Sequence, residues 1–137
     1  MVAVTHDGAR IPVTCDGDII LARQKGRELA APLGFPASEL TLIVTAISEI
    51  ARNVVVYAER GEILISHVEE DGRRGILVVT RDEGPGIPDI EQAMRDGFST
   101  GKSLGLGLPG AKRLMDEFDI VSEVGRGTTV TMRKWAP

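Results

Sequence analysis

Gly75-Ile76-Leu77-Val78-Val79-Thr80-Arg81-Asp82-Glu83-Gly84-Pro85-Gly86 is the stretch on which the fold turns. Its first six residues are nearly all apolar and read as a central strand. The strand ends on Asp82, and a glycine-proline turn follows at once. Working outward, Ile63 to Val68 reads as a neighbouring strand, joined to the first through an Asp71-Gly72 turn. Ile120 to Val124 and Thr128 to Lys134 read as a closing hairpin around Gly125-Arg126-Gly127. Ile11 to Thr14 is a short β-prone run near the start of the chain.

Helices fill the remainder. Asp16-Gly17-Asp18 offers helix N-cap chemistry, Ile19 to Leu33 reads as a helix, and Gly34 stops it with Pro36 just beyond. A second helix runs from near Ser38 to about Tyr57. Its apolar stripe is Leu40, Ile43, Ile47, Ile50 and Val54, at spacings of three and four. Pro88 to Met94 suggests a short helix, Gly97 to Gly107 a loop rich in Gly, Ser and Thr, and Pro109 to Phe118 a helix that proline opens at its first turn. Helices precede strands in part, and the last two strands look antiparallel. That combination predicts an α+β two-layer sandwich, with a mixed β-sheet covered on one face by helices. The length suits a single domain over residues 1–137.

Composition narrows the function classes. Hydrophobic content of 42% and charged content of 26% are globular values. The net charge is −4 and no run of Lys or Arg exceeds two residues, so no nucleic-acid footprint is expected. Cys15 is the one cysteine, which rules out an internal disulfide and fits a reducing cytoplasm. It reads as a packing or surface residue rather than a nucleophile. Met1 to Pro12 has no apolar signal core, and no stretch approaches the ~20 apolar residues of a membrane span, so no membrane association is expected.

Four short pieces carry chemistry. Glu49 and Asn53 of Ser48-Glu49-Ile50-Ala51-Arg52-Asn53 are four apart, on one face of the second helix and beside its apolar stripe. A carboxylate and an amide oxygen suit a Mg²⁺ that also holds phosphates. Taken alone, the pair reads rather as the solvated flank of an amphipathic helix. Asp82 at its strand end can accept a hydrogen bond from an exocyclic amine such as that of adenine, and Gly84 and Gly86 let backbone approach a ligand. Gly101-Lys102-Ser103-Leu104-Gly105-Leu106-Gly107-Leu108-Pro109-Gly110 runs into a helix, and such a glycine-rich helix start makes an anion site. Its G-x-G-x-x-G lacks the strand that a dinucleotide fingerprint needs before it. The segment from Gly97 to Ser103 is one residue short of a phosphate-binding Walker loop. Lastly, Thr128 of Gly125-Arg126-Gly127-Thr128-Thr129 places a hydroxyl where it can donate to, or bridge by water to, the base that Asp82 reads.

In this order the four pieces resemble the N, G1, G2 and G3 boxes of the GHKL (Bergerat-fold) ATPase/kinase superfamily. The resemblance spans roughly residues 16 to 135, and consistency across the set is stronger than any member. It is closest to the RsbT-type switch kinases, of the anti-sigma regulatory factor family. The text that carries this is Ala46 to Asn53, Asp82 to Ile90, Asp96-Gly97-Phe98-Ser99-Thr100, and above all Gly107-Leu108-Pro109-Gly110-Ala111-Lys112-Arg113-Leu114-Met115-Asp116-Glu117-Phe118, with Lys134-Trp135 near the end.

That resemblance implies a serine/threonine kinase in bacterial stress signalling. Its cofactors would be ATP and Mg²⁺. Its substrates would be STAS-domain proteins of the stressosome, and a metal-dependent phosphatase or other output module would be activated by contact. It also implies roles by position. Glu49 positions, or takes the proton from, the attacking hydroxyl. Asn53 ligates Mg²⁺, Asp82 reads the adenine amine, and Thr128 completes its recognition. Gly84, Gly86, Gly105 and Gly107 let backbone face the nucleotide. Arg52 is open between a phosphate contact and a surface salt bridge. The lid tip from Ser99 to Leu104 varies widely in the superfamily, which leaves the contacts of Lys102 and Ser103 open. With only His6 and His67 and no helical dimerisation segment, a sensor histidine kinase is disfavoured. The rival is an anti-sigma factor that sequesters a sigma subunit through the same ATP site.

Overall fold

The computed structural model of the chain describes residues 2–58, 60–87, 94 and 107–137, with side chains from residue 8 onward. The elements in chain order are β1 (Val2–Val13), α1 (Asp16–Ala30), α2 (Ala37–Asn53), β2 (Gly61–Glu70), β3 (Arg73–Asp82), α3 (Gly107–Leu114), β4 (Glu117–Glu123) and β5 (Gly127–Trp135). A 3₁₀ turn, Ala31–Leu33, follows α1, and a π-helical turn, Val54–Ala58, continues α2. The strands lie in the order β1-β2-β3-β5-β4, so the apolar run around Val78 is indeed the central strand.

The two-layer α+β sandwich stands, but the mixed sheet does not: every described strand pair is antiparallel. The connections explain the correction. A parallel pair needs a crossover connection, usually one helix. Here two successive helices lie between β1 and β2 and bring the chain back into the sheet reversed. The β2–β3 link is a two-residue hairpin in which Asp71 (φ 52°) and Gly72 (φ 79°) both adopt left-handed backbone, as a tight hairpin turn demands. β1 is also far longer than the Ile11 to Thr14 run suggested, reaching back to Val2 across an irregularity in its pairing between Val4 and Gly8.

The helices cover one face of the sheet. Ile43, Ile47, Ile50 and Val54 of the α2 stripe are each at most 1% exposed, and they pack with Ile63, Ile65, Ile76, Val78, Val130 and Met132. Burial of each such side chain contributes about 1.5–3 kcal/mol, taken against an extended chain. On the outer side of α2 the hydroxyls of Thr41, Thr45 and Ser48 donate to carbonyls four residues back, so they need no other partner. α1 approaches closely because Gly26 has no side chain; a Cβ there would stand 2.3 Å from Ile47 Cδ1. Ala37–Ala58, at 22 residues with an 18-residue stretch of mean hydropathy 1.5, is long and apolar enough to cross a membrane, which the sequence reading did not expect. In the fold its apolar stripe lies against the sheet, as in a core helix.

The N-cap expected at Asp16-Gly17-Asp18 falls instead on Cys15, whose side chain makes no capping bond, and Asp18 bonds Thr14, the residue before that cap. The Asp18 carboxylate accepts the Thr14 N–H at 2.8 Å and the Thr14 hydroxyl at 3.0 Å. The Thr14 backbone bond, first among its causes, holds the Asp18 carboxyl below its ordinary value. Gly34 stops the segment in left-handed backbone at φ 91°.

α3 ends at Leu114, four residues before the expected Phe118. Lys134 explains the stop. Its Nζ donates to the Leu114 carbonyl at 3.1 Å, and the Asp116 N–H turns to the Arg133 carbonyl at 3.0 Å. A cation on the last carbonyls of a helix satisfies groups that have no partner within it. Glu117 and Phe118 then enter the β4 ladder opposite Arg133 and Met132.

Candidate functional site

Asp82 is the last residue of β3, flanked in the sheet by Gly61 of β2 and Thr128 of β5. Its Oδ1 accepts the Gly84 N–H at 3.0 Å and the Thr128 N–H at 3.2 Å. A carboxylate has acceptor capacity on both oxygens. Two backbone donors on Oδ1 therefore fix the group in place and leave Oδ2 for a ligand. The turn that follows is built without room for side chains. A Cβ on Gly84 would stand 2.6 Å from Ala58 Cβ, and one on Gly127 only 2.0 Å from the Asp82 carbonyl oxygen. Gly86 (φ 79°) and Gly127 (φ 124°) adopt backbone that other residues resist.

The second and fourth sequence pieces thus form one unit. The Gly125 N–H donates to the Pro85 carbonyl at 2.9 Å, and the Ile87 N–H to Ser122 Oγ at 2.7 Å. Ser122 Oγ is also 2.8 Å from Oγ1 of Thr128, a residue buried at 6% exposure.

α2 supplies the first piece. Glu49 is buried at 6% exposure, and Asn53, half-buried, is the last residue of the helix. The π-helical turn begins at the next residue. Val54 Cγ1 lies over Gly61, and Ala58 lies against Gly84, which clamps the end of α2 to the Asp82 end of the sheet. π turns inside helices are frequent at functional sites. Arg52 makes no ion pair among the described residues, and its Nε is buried without a hydrogen-bond partner. The salt-bridge alternative for it finds no support there.

Gly107 opens α3 at φ 50°, and the helix packs into the core through Leu108 and Ala111. Gly105, Lys102 and Ser103 lie outside the described residues, as do the short helix expected over residues 88–94, Met94 apart, and the glycine-rich loop before Gly107. Among the described residues no group of three or more His, Cys, Asp or Glu could hold a metal by itself. Mg²⁺ does not need one, since it keeps waters and phosphate oxygens and takes one or two protein oxygens. The Asn53 amide oxygen at the end of α2 fits that requirement, and Glu49 stands one helical turn before it.

Residues 11–134 match the histidine kinase-like ATPase domain family. The chain belongs to that family. It is 48% identical over 130 residues to the serine/threonine-protein kinase RsbT of Bacillus subtilis (strain 168), covering 95% of this chain and 98% of the relative. It is 38% identical over 120 residues to an anti-sigma F factor of Geobacillus stearothermophilus, covering 82% of this chain and 81% of the relative. A Geobacillus kaustophilus anti-sigma F factor matches at the same 38%.

In this histidine kinase-like ATPase domain, sequence reasoning missed three contributors to the corner around Asp82. They are Gly61, Ala58 and Ser122. Gly61 carried one readable signal, a glycine opening a β-prone run. Ser122 carried none, because its role depends on standing opposite Thr128 in the β4–β5 register.

Proposed function

We propose that this chain is an ATP-dependent serine/threonine protein kinase of bacterial stress signalling that phosphorylates STAS-domain proteins. The observation that carries the reading is the similarity to the RsbT kinase over nearly the whole of both chains. The site geometry supports it. Asp82 offers a fixed carboxylate oxygen for the adenine amine, with Thr128 beside it, and Gly84 and Gly86 keep the turn bare enough for a base to lie against backbone. Gly105 and Gly107 are the residues assigned to the phosphates, since backbone N–H groups at a helix start favour anions.

Asn53 holds Mg²⁺, and Glu49 orients the acceptor hydroxyl of the partner protein and takes its proton. The hydroxyl oxygen bonds to the γ-phosphorus as the bond to ADP breaks. The metal ion, when bound, supplies charge neutralisation across the phosphates. Glu49 need not be strongly basic, because phosphoryl transfer depends mainly on alignment and charge stabilisation. Its burial keeps bulk water from competing with the acceptor. The stressosome is the assembly in which the partners reside, and a metal-dependent phosphatase or another output module is the target of the released kinase. The setting is the cytoplasm, with neither nucleic acid nor membrane as a partner.

A second reading is carried by the anti-sigma F relatives: a chain that sequesters a sigma subunit through the same nucleotide site. One experiment separates the two. Purified protein is incubated with Mg-ATP and STAS-domain proteins of its own organism, and in parallel with sigma subunits. Phosphoserine or phosphothreonine on a STAS protein by mass spectrometry supports the kinase. A stable nucleotide-dependent complex with a sigma subunit, without STAS phosphorylation, supports the alternative.

A further inference from the structure

Ser122 stands opposite Thr128 across the β4–β5 ladder, and three polar contacts meet at its hydroxyl. The Ile87 N–H donates to it at 2.7 Å, Thr128 Oγ1 lies 2.8 Å away, and the Gly127 carbonyl oxygen lies 3.3 Å away. A serine hydroxyl has one proton and two acceptor positions. The Ile87 N–H occupies one acceptor position. The Gly127 carbonyl can only accept, so in that contact Ser122 is the donor. Thr128 must then be the donor in the third contact. This is the one proton arrangement that satisfies all three contacts together.

The consequence reaches the base site. With its proton committed to Ser122, Thr128 Oγ1 offers only lone pairs to whatever approaches Asp82. The Asp82 carboxylate likewise only accepts. We propose that Ser122 is a specificity-determining residue: by holding the Thr128 proton it makes this corner acceptor-only, and so selects a purine with a 6-amino group over one with a 6-oxo group. The proposal rests on the reading of Asp82 and Thr128 as the base site. A 6-amino group brings two N–H donors to two acceptors. A 6-oxo group brings lone pairs against lone pairs, which leaves buried acceptors unpaired. Without the Ser122 hydroxyl, Thr128 is free to rotate and donate to a 6-oxo oxygen, and discrimination relaxes. Ser122 touches no base itself; it acts through Thr128.

The test is calorimetric binding of Mg-ATP and Mg-ITP, two nucleotides that differ only at the purine 6-position and its tautomer. Wild type, Ser122→Ala and Ser122→Thr are compared, with melting curves alongside. Wild type is expected to favour ATP strongly. Ser122→Ala is expected to narrow the ATP/ITP ratio by about tenfold, the worth of one hydrogen bond. Ser122→Thr keeps a hydroxyl in place and is expected to keep the wild-type ratio. Ser122→Cys, of similar size and with a weaker hydrogen-bonding group, carries the same comparison if the alanine variant melts too low to assay. Equal weakening of both nucleotides in Ser122→Ala, with the ratio unchanged, overturns the proposal and leaves Ser122 a structural tie. Wild-type protein that binds neither nucleotide removes the base-site reading itself, and the proposal with it.

Discussion

At the Asp82 corner, the side chains of Asp82, Ser122 and Thr128 are fixed by bonds between strands or between strand and turn. Asp82 is held by the N–H groups of Gly84 and Thr128, and Ser122 ties Ile87 to Thr128. On the flank of α2, Glu49 and Asn53 are instead placed by a helix whose position comes from Ile43, Ile47, Ile50 and Val54 packing on the sheet. The corner depends on register, the flank on hydrophobic packing. Recognition of a base needs an immobile donor–acceptor pattern. Transfer to a partner's hydroxyl needs a carboxylate that is sheltered yet presented on a rigid rod. The two are joined where Val54 meets Gly61 and Ala58 meets Gly84. Variants in the two regions should therefore separate chemistry from binding.

The largest effect is expected on the α2 flank. Glu49→Ala should lower single-turnover transfer by about 10²–10⁴-fold, the usual worth of a positioned acid–base group, with ATP affinity nearly unchanged by calorimetry. A matching loss of affinity would erase the division between the two regions. Asp82→Asn should do the converse. ATP affinity should fall by about 100-fold with the melting temperature nearly unchanged, because a charge-assisted hydrogen bond is lost from the base and the strand ladder stays. Transfer at saturating ATP should then recover.

Gly127→Ala tests whether the corner relies on register. The new Cβ would meet the Asp82 carbonyl oxygen at 2.0 Å, in backbone at φ 124°. A loss of about 1–3 kcal/mol in denaturant unfolding is expected, with weakened ATP binding. Unaltered affinity would show that the turn tolerates displacement.

The smallest effect belongs to a site in neither region. The Trp135 indole N–H, first among the causes, and the Arg133 guanidinium hold the Glu117 carboxyl below its ordinary value. A carboxylate depressed by folding stabilises above its unfolded pKa, and that contribution is lost as pH falls through the lower folded value. Glu117→Gln should thus cost at most about 1 kcal/mol near neutral pH, given solvent screening of a 42%-exposed side chain. The difference from wild type should close in acid, in melts taken from pH 7 downward. ATP affinity and transfer should stay at wild-type levels.

The same contrast sets what the sequence could reveal. The α2 stripe and the β3 run are periodic and apolar, so helix, central strand and two-layer architecture were legible in Leu40 to Val54 and Gly75 to Thr80. Asp71-Gly72 and Gly34 were legible because their backbone demands such residues. The antiparallel sheet was not, since it follows from two helices lying between β1 and β2. The end of α3 was hidden because Met115 and Phe118 continue an apolar pattern, while the stop depends on Lys134, twenty residues beyond Leu114. In the candidate site, Asp82, its glycines and Thr128 were visible as motifs. Ser122 was invisible because hydrogen-bond partners across a ladder leave no local mark.

The central claim is that this chain moves a γ-phosphate to a protein hydroxyl with Glu49 as the positioned carboxylate. Its most direct test is single-turnover transfer of labelled phosphate from Mg-ATP to a STAS-domain protein of the same organism, with wild type and Glu49→Ala side by side and ATP binding measured for both. The account predicts label on a serine or threonine with wild type, at least about 100-fold less with the variant, and equal ATP binding. Equal transfer by both proteins, or none by a wild type that binds ATP, would contradict it.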